Sequence, residues 1–122
     1  MEIQLAEEQA CLVARTVGPI DESAEAVFRE RLHPRVRERG TRLILDLSQS
    51  QLISSLGVGQ LVMLVANANT AGSRVVLAAV SPFVSIVLSR CKLDQFFNTA
   101  PTVADAIRML GEPAGGNQAN GG

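Results

Sequence analysis

Arg42-Leu43-Ile44-Leu45-Asp46-Leu47 is the stretch whose reading decides the fold. It is a short, continuous apolar run. Such a run is the mark of a strand buried on both faces inside a parallel sheet. Arg74 to Val80 repeats the pattern. Between the two, Val58, Leu61, Val62, Val65 and Ala66 fall on one helical stripe, which Asn67, Asn69 and Gly72 bring to an end. A strand, a helix and a second buried strand predict a parallel pair joined by a crossover.

Working outward toward the N-terminus, Ala24, Phe28, Leu32 and Val36 recur at every fourth position, giving a helix that runs on to Arg39 and stops at Gly40. Asp21 reads as its N-cap. Pro34 falls inside the pattern and predicts a kink or break near Leu32. Upstream, Cys11 to Val17 is a strand ended by Gly18-Pro19, and Ile3 to Leu5 a short edge strand. Glu7-Glu8-Gln9 is the polar turn between them, so the two form a hairpin.

Toward the C-terminus, Ser48 to Gln51 is a polar loop, and Ser54 and Ser55 are both placed to cap the helix that follows. Ser81-Pro82 is an N-cap followed by proline at the first helical position. Val84, Val87, Leu88 and Cys91 line one face of that helix. Phe96-Phe97 begins a last short strand. Thr102 and Asp105 resemble a capping box before a final helix, with Val103, Ala106, Ile107 and Leu110 on its buried stripe and Gly111 as its stop. The order is β-β-α-β-α-β-α-β-α: an α/β fold, with a mostly parallel sheet, an N-terminal antiparallel edge hairpin and about four helices.

Residues 1–111 therefore read as one domain, which fits a chain of 122 residues. Residues 112–122 hold Gly, Asn, Ala and Pro and no large apolar side chain, so they read as a disordered tail.

Composition excludes several functions. A net charge of −1 favours neither nucleic acid nor an anionic membrane. With no Trp or Tyr, and Phe not interleaved with a basic stripe, a stacking platform for single strands is not expected. The start, Met1-Glu2-Ile3-Gln4, lacks the order of a signal peptide, and no apolar run approaches the roughly 20 residues that span a bilayer. Cytoplasmic residence is the expectation, and Cys11 and Cys91 then read as small core hydrophobes.

Catalytic machinery is thin. The one His, His33, precedes Pro34 on the polar side of the first helix and reads as a surface residue. No second ligand stands at metal spacing, so neither metal nor cofactor is expected. Asp21 and Asp46 could converge at strand ends for metal-assisted phosphoryl chemistry, or serve as a cap and a turn former. Gly57-Val58-Gly59 could cradle a phosphate, but it lacks the dinucleotide spacing and any P-loop lysine. Small residues that let the helix approach the sheet are the plainer reading.

Four stretches resemble a known family in register. Val17-Gly18-Pro19-Ile20-Asp21 is similar to its turn before the first helix, and Leu45-Asp46-Leu47-Ser48 to its "LDLS" strand end. Ile53-Ser54-Ser55-Leu56-Gly57-Val58-Gly59 resembles its "DSSGLG" loop, and Leu93-Asp94-Gln95-Phe96-Phe97 its "LDxLF" segment. The family is the STAS domains, in particular the bacterial anti-sigma factor antagonists.

The resemblance implies a non-enzymatic module that regulates transcription by binding an anti-sigma factor, a histidine-kinase-like serine kinase. The kinase phosphorylates a serine at the start of the second helix and so ends the complex, and a phosphatase resets it. The implied docking residues are Asp21, Ser54, Ser55, Leu56, Gly57 and Gly59, with Ser55 and then Ser54 as modification sites. One departure stands out. A gapless alignment places the family's phosphoacceptor on Leu56 and its glycines on Gly57 and Gly59. That departure favours an alternative, an accessory STAS subunit of a transport or lipid-trafficking complex with no kinase. A small-ligand or nucleotide sensor at Gly57–Gly59 is a third reading, and an enzyme the last.

Overall fold

The computed structural model describes residues 1–111; the stretch expected to be a tail, residues 112–122, lies outside the described residues. The strands are β1 (Glu2–Glu8), β2 (Cys11–Val17), β3 (Arg42–Gln49), β4 (Arg74–Ala78) and β5 (Asn98–Ala100). The helices are α1 (Ala24–Arg31), α2 (His33–Val36), α3 (Ser55–Ala71), α4 (Pro82–Arg90) and α5 (Val103–Gly111).

One sheet carries the strands in chain order, β1-β2-β3-β4-β5. β1 pairs antiparallel with β2, and every later pair is parallel. Parallel neighbours added always on the same side place their crossovers on one face. Accordingly α1 to α4 cover that face. Leu12, Ala14, Leu43, Leu45, Leu47, Val75 and Leu77 point into it and meet Phe28, Leu32, Leu61, Leu64, Val84 and Leu88. The alternate residues Val13, Ile44, Val76 and Ala78 point the other way, where α5 covers them with Ala106 and Leu110. The continuous apolar runs of β3 and β4 thus resolve into two period-two sets, one for each helical layer.

The boundaries differ from the sequence expectation where tertiary contacts override local pattern. The break expected near Leu32 is there, because Pro34 cannot sit in a helix interior: α1 closes with Leu32 as its C-cap, and α2 restarts with the proline near its N-terminus and ends at Val36, short of the expected Arg39. Asp21 is not the N-cap of α1. Its Oδ1 accepts from the Ser23 N–H (2.9 Å) and from the Ser23 hydroxyl (2.6 Å), a local turn ahead of the helix. β3 runs to Gln49, into the expected loop, and β5 begins after Phe97 rather than with it.

Two side chains change places with expectation. Cys91 follows α4 and is exposed; Cys11 is buried, which raises its thiol pKa. His33 is buried, because the break at Leu32 re-aims α2 toward α3, where Nδ1 of the ring accepts from the Asn67 amide at 2.8 Å. On α3 the buried set includes Leu64 and Ala68, while Ala66 faces outward.

The β1–β2 hairpin turns through Gln9 (φ 50°) and Ala10 (φ 66°). Two consecutive positive φ values are the type I′ geometry that Asn-Gly accommodates best. A left-handed residue other than Gly costs about 1–2 kcal/mol, so the double change Gln9→Asn with Ala10→Gly is expected to stabilise the fold by about 1 kcal/mol. A urea-denaturation midpoint that fails to rise would contradict it.

Candidate functional site

The ends of β2 and β3 are tied to the start of α3 by main-chain hydrogen bonds. The Gly18 N–H donates to Gln49 O (3.0 Å), the Ile20 N–H to Leu52 O (2.9 Å) and the Ser54 N–H to Ile20 O (3.0 Å). Ile20 and Ile53 add one parallel bridge. The β2–β3 register slips between Arg15 and Val17, where the regular ladder gives way to this looser weave. Below it the Thr16 and Ser50 hydroxyls, both buried, meet at 2.6 Å.

Ser54 is the N-cap of α3. Its backbone is extended (φ −98°, ψ 171°), and its Oγ accepts from the Gly57 N–H at 3.2 Å. That hydroxyl is committed to the helix. Ser55, the first residue of α3, is exposed, and its side chain has no hydrogen-bond partner among the described residues. The two serines are therefore not equivalent, which the sequence left open.

The glycines also separate. A Cβ on Gly57 would lie 1.9 Å from the Ile20 carbonyl oxygen. The first turn of α3 packs so closely on the Ile20 segment that only glycine fits. A Cβ on Gly59 would meet nothing within 4 Å, so close packing does not require this glycine.

Around Ser55 the surface is apolar. Leu56 is 60% exposed and Leu52 55%. Met63 is seven residues beyond Leu56, on the same side of α3, and is also exposed. Gly59 lies between them and leaves that face flat. Ser81, the N-cap of α4, donates its hydroxyl to Gln51 O at 3.3 Å, which sets the start of α4 and its exposed Phe83 beside the loop. Leu52 and Phe83 escaped the sequence reading, which named no residue there as exposed; Met63 was legible only as a position off the buried stripe.

Asp21 stands next to Ile20 at the rim of this region. Its hydrogen bonds from Ser23 hold its carboxyl below the ordinary range. Asp46 does not join it. It lies on the α5 face, paired with Arg15 at 3.5 Å and accepting from the Ser48 N–H at 3.0 Å. The two carboxylates have separate partners. Among the described residues no group of three or more His, Cys, Asp or Glu could hold a metal ion. Nor is any helix among them long and apolar enough to cross a membrane.

Comparison with solved structures finds the same fold. An anti-sigma-factor antagonist (STAS) domain protein from Planctomyces limnophilus superposes with a TM-score of 0.77 at 17% identity, over 90% of this chain and 98% of that one. The Bacillus cell fate determinant SpoIIAA, in its phosphorylated form, gives 0.66 at 20% identity over 89% of this chain and 99% of that one. The murine anion transporter Slc26a9 gives 0.70 at 19% identity, over 86% of this chain but 18% of the transporter. The family model described as STAS domain matches residues 2–106, from β1 into α5. The chain belongs to the STAS domain family.

Proposed function

We propose that this domain is an anti-sigma-factor-antagonist-like binding module. In this reading it docks a histidine-kinase-like serine kinase through the start of α3 and the turn at Asp21. The observation that carries the proposal is the exposed, uncommitted Ser55 hydroxyl beside Leu52 and Leu56, with Met63 exposed two turns further along the same side of α3. Contiguous exposed apolar side chains mark surfaces that are covered by a partner. Regulation then acts at Ser55, because the Ser54 hydroxyl caps the helix. The likeness to phosphorylated SpoIIAA supports a switch of this kind. No catalytic group takes part, so the domain regulates by occupancy.

A phosphate on Ser55 would bring about −1.5 to −2 charges to the first residue of a helix, where the dipole tolerates them, but into an apolar contact, where a partner cannot. The variant Ser55→Asp tests this. It is expected to leave thermal stability unchanged or slightly higher, and to weaken kinase binding about tenfold or more. Unchanged affinity in a calorimetric titration with the cognate kinase would remove Ser55 from the switch.

Leu56 supports a second reading, an accessory STAS subunit of a transport complex, because the gapless alignment puts leucine where a phosphoacceptor is expected. The likeness to a transporter's domain fits it. Affinity capture separates the two: a serine kinase supports the switch, membrane-transport subunits the accessory role.

A further inference from the structure

His33 is 4% exposed. Its Nδ1 faces Nδ2 of Asn67 at 2.8 Å, and that NH2 nitrogen can only donate, so Nδ1 accepts and the neutral ring carries its proton on Nε2. That Nε2–H has no protein acceptor among the described residues. Buried donors are rarely left unpaired without a reason.

The ring lines a cleft of about 290 Å³ between α1, α2 and α3. Arg29 and Arg37 line the same cleft, and α3 contributes the amides of Gln60 and Asn67. One acid is present, Glu25, and it is paired with Arg29. Arg37 has no carboxylate within ion-pair distance among the described residues. The cleft thus holds one uncompensated guanidinium, one buried N–H without an acceptor and two amide side chains. A guanidinium fork matches a planar carboxylate through two parallel hydrogen bonds.

We propose that this cleft binds a small carboxylate, with Arg37 supplying the charge and the His33 Nε2–H the orienting hydrogen bond. Burial, with the Arg37 charge adding to it and Glu25 opposing, holds the free imidazole below its ordinary pKa. A bound anion offsets the Arg37 charge and attracts the protonated ring, and so raises it. Met63 lies on the rim of the cleft and on the exposed side of α3. An occupant there would meet any partner docked on that side, but the site itself stands without the docking proposal.

The carboxylate has two sources, a free metabolite or an acidic side chain of a bound protein. The test is an NMR titration of the whole chain at constant ionic strength. One arm uses free glutamate, the other a short blocked peptide with a single internal glutamate. The expected result is a saturable shift of the His33 ring and the Asn67 amide, with the His33 titration midpoint moving up. Arg37→Gln, a change at an exposed position, is expected to weaken binding about tenfold. Saturation by free glutamate assigns a metabolite site; saturation by the peptide alone assigns a protein side chain. No saturable shift with either probe, or equal shifts in Arg37→Gln, would overturn the proposal.

Discussion

Gly57→Ala is expected to destabilise the domain by about 3 kcal/mol, the largest effect of any single methyl in the site. The added Cβ would fall 1.9 Å from Ile20 O, and the obstacle is main chain, with no rotamer to move aside. That carbonyl also accepts the Ser54 N–H at 3.0 Å. Lifting α3 to relieve the clash therefore loosens the bond that seats the helix. Overpacking strain of about 3 kcal/mol and a lost hydrogen bond worth about 1 kcal/mol oppose about 1 kcal/mol gained from alanine's better helix propensity. Gly59→Ala is the control. Nothing stands within 4 Å of its Cβ, so the propensity gain of up to about 1 kcal/mol goes unopposed. Urea-denaturation midpoints should move in opposite directions for the two variants. A Gly57→Ala protein as stable as its parent would show that α3 does not pack on Ile20 as described.

This pair also shows how far the site was legible. The sequence singled out Gly57-Val58-Gly59 as small residues for a close approach, and the approach is present, but only Gly57 makes it. Spacing along a chain cannot tell which of two glycines faces the neighbouring segment, because that depends on how Ile20 returns to the sheet. The same holds for the serines. Either could cap α3 by pattern, and only the hydrogen bond from the Gly57 N–H assigns the role to Ser54. The parallel character of the sheet, by contrast, was legible because the runs in β3 and β4 are apolar at consecutive positions, which buries both faces whatever surrounds them. Pro34 announced the break after α1 through its own covalent geometry. His33 did not announce its burial. The helical count placed it on the polar side, and the break that Pro34 causes is what re-aims it toward Asn67. Asp21 and Cys91 misled for a related reason: Asp21 lies two residues ahead of the N-cap of α1 and Cys91 is the C-cap of α4, where caps and solvent, rather than periodicity, set the environment.

Leu56→Asp is expected to weaken binding to a partner kinase about 100-fold, close to 2.7 kcal/mol, while the fold keeps its stability. Leu56 is 60% exposed, so the free domain loses little core by the change. It occupies the second position of α3, where a carboxylate complements the helix dipole by about 0.3–1 kcal/mol. A loss of binding thus cannot be traced to unfolding. In a docked complex the same carboxylate would sit beside Ser55 and Leu52, desolvated in an apolar contact. Truncation to alanine removes the contact without adding charge and should cost about tenfold, so the excess from aspartate measures desolvation of the charge. Leu56→Ser asks the complementary question. It restores a hydroxyl where the gapless alignment puts the family's phosphoacceptor, and a kinase that recognises this loop is expected to phosphorylate the new serine in vitro. Binding by Leu56→Asp as tight as the parent's would place the partner elsewhere on the domain. A Leu56→Ser protein that binds and is not phosphorylated would mean that the partner reads this face for shape alone, and that leucine holds the position because no switch operates there.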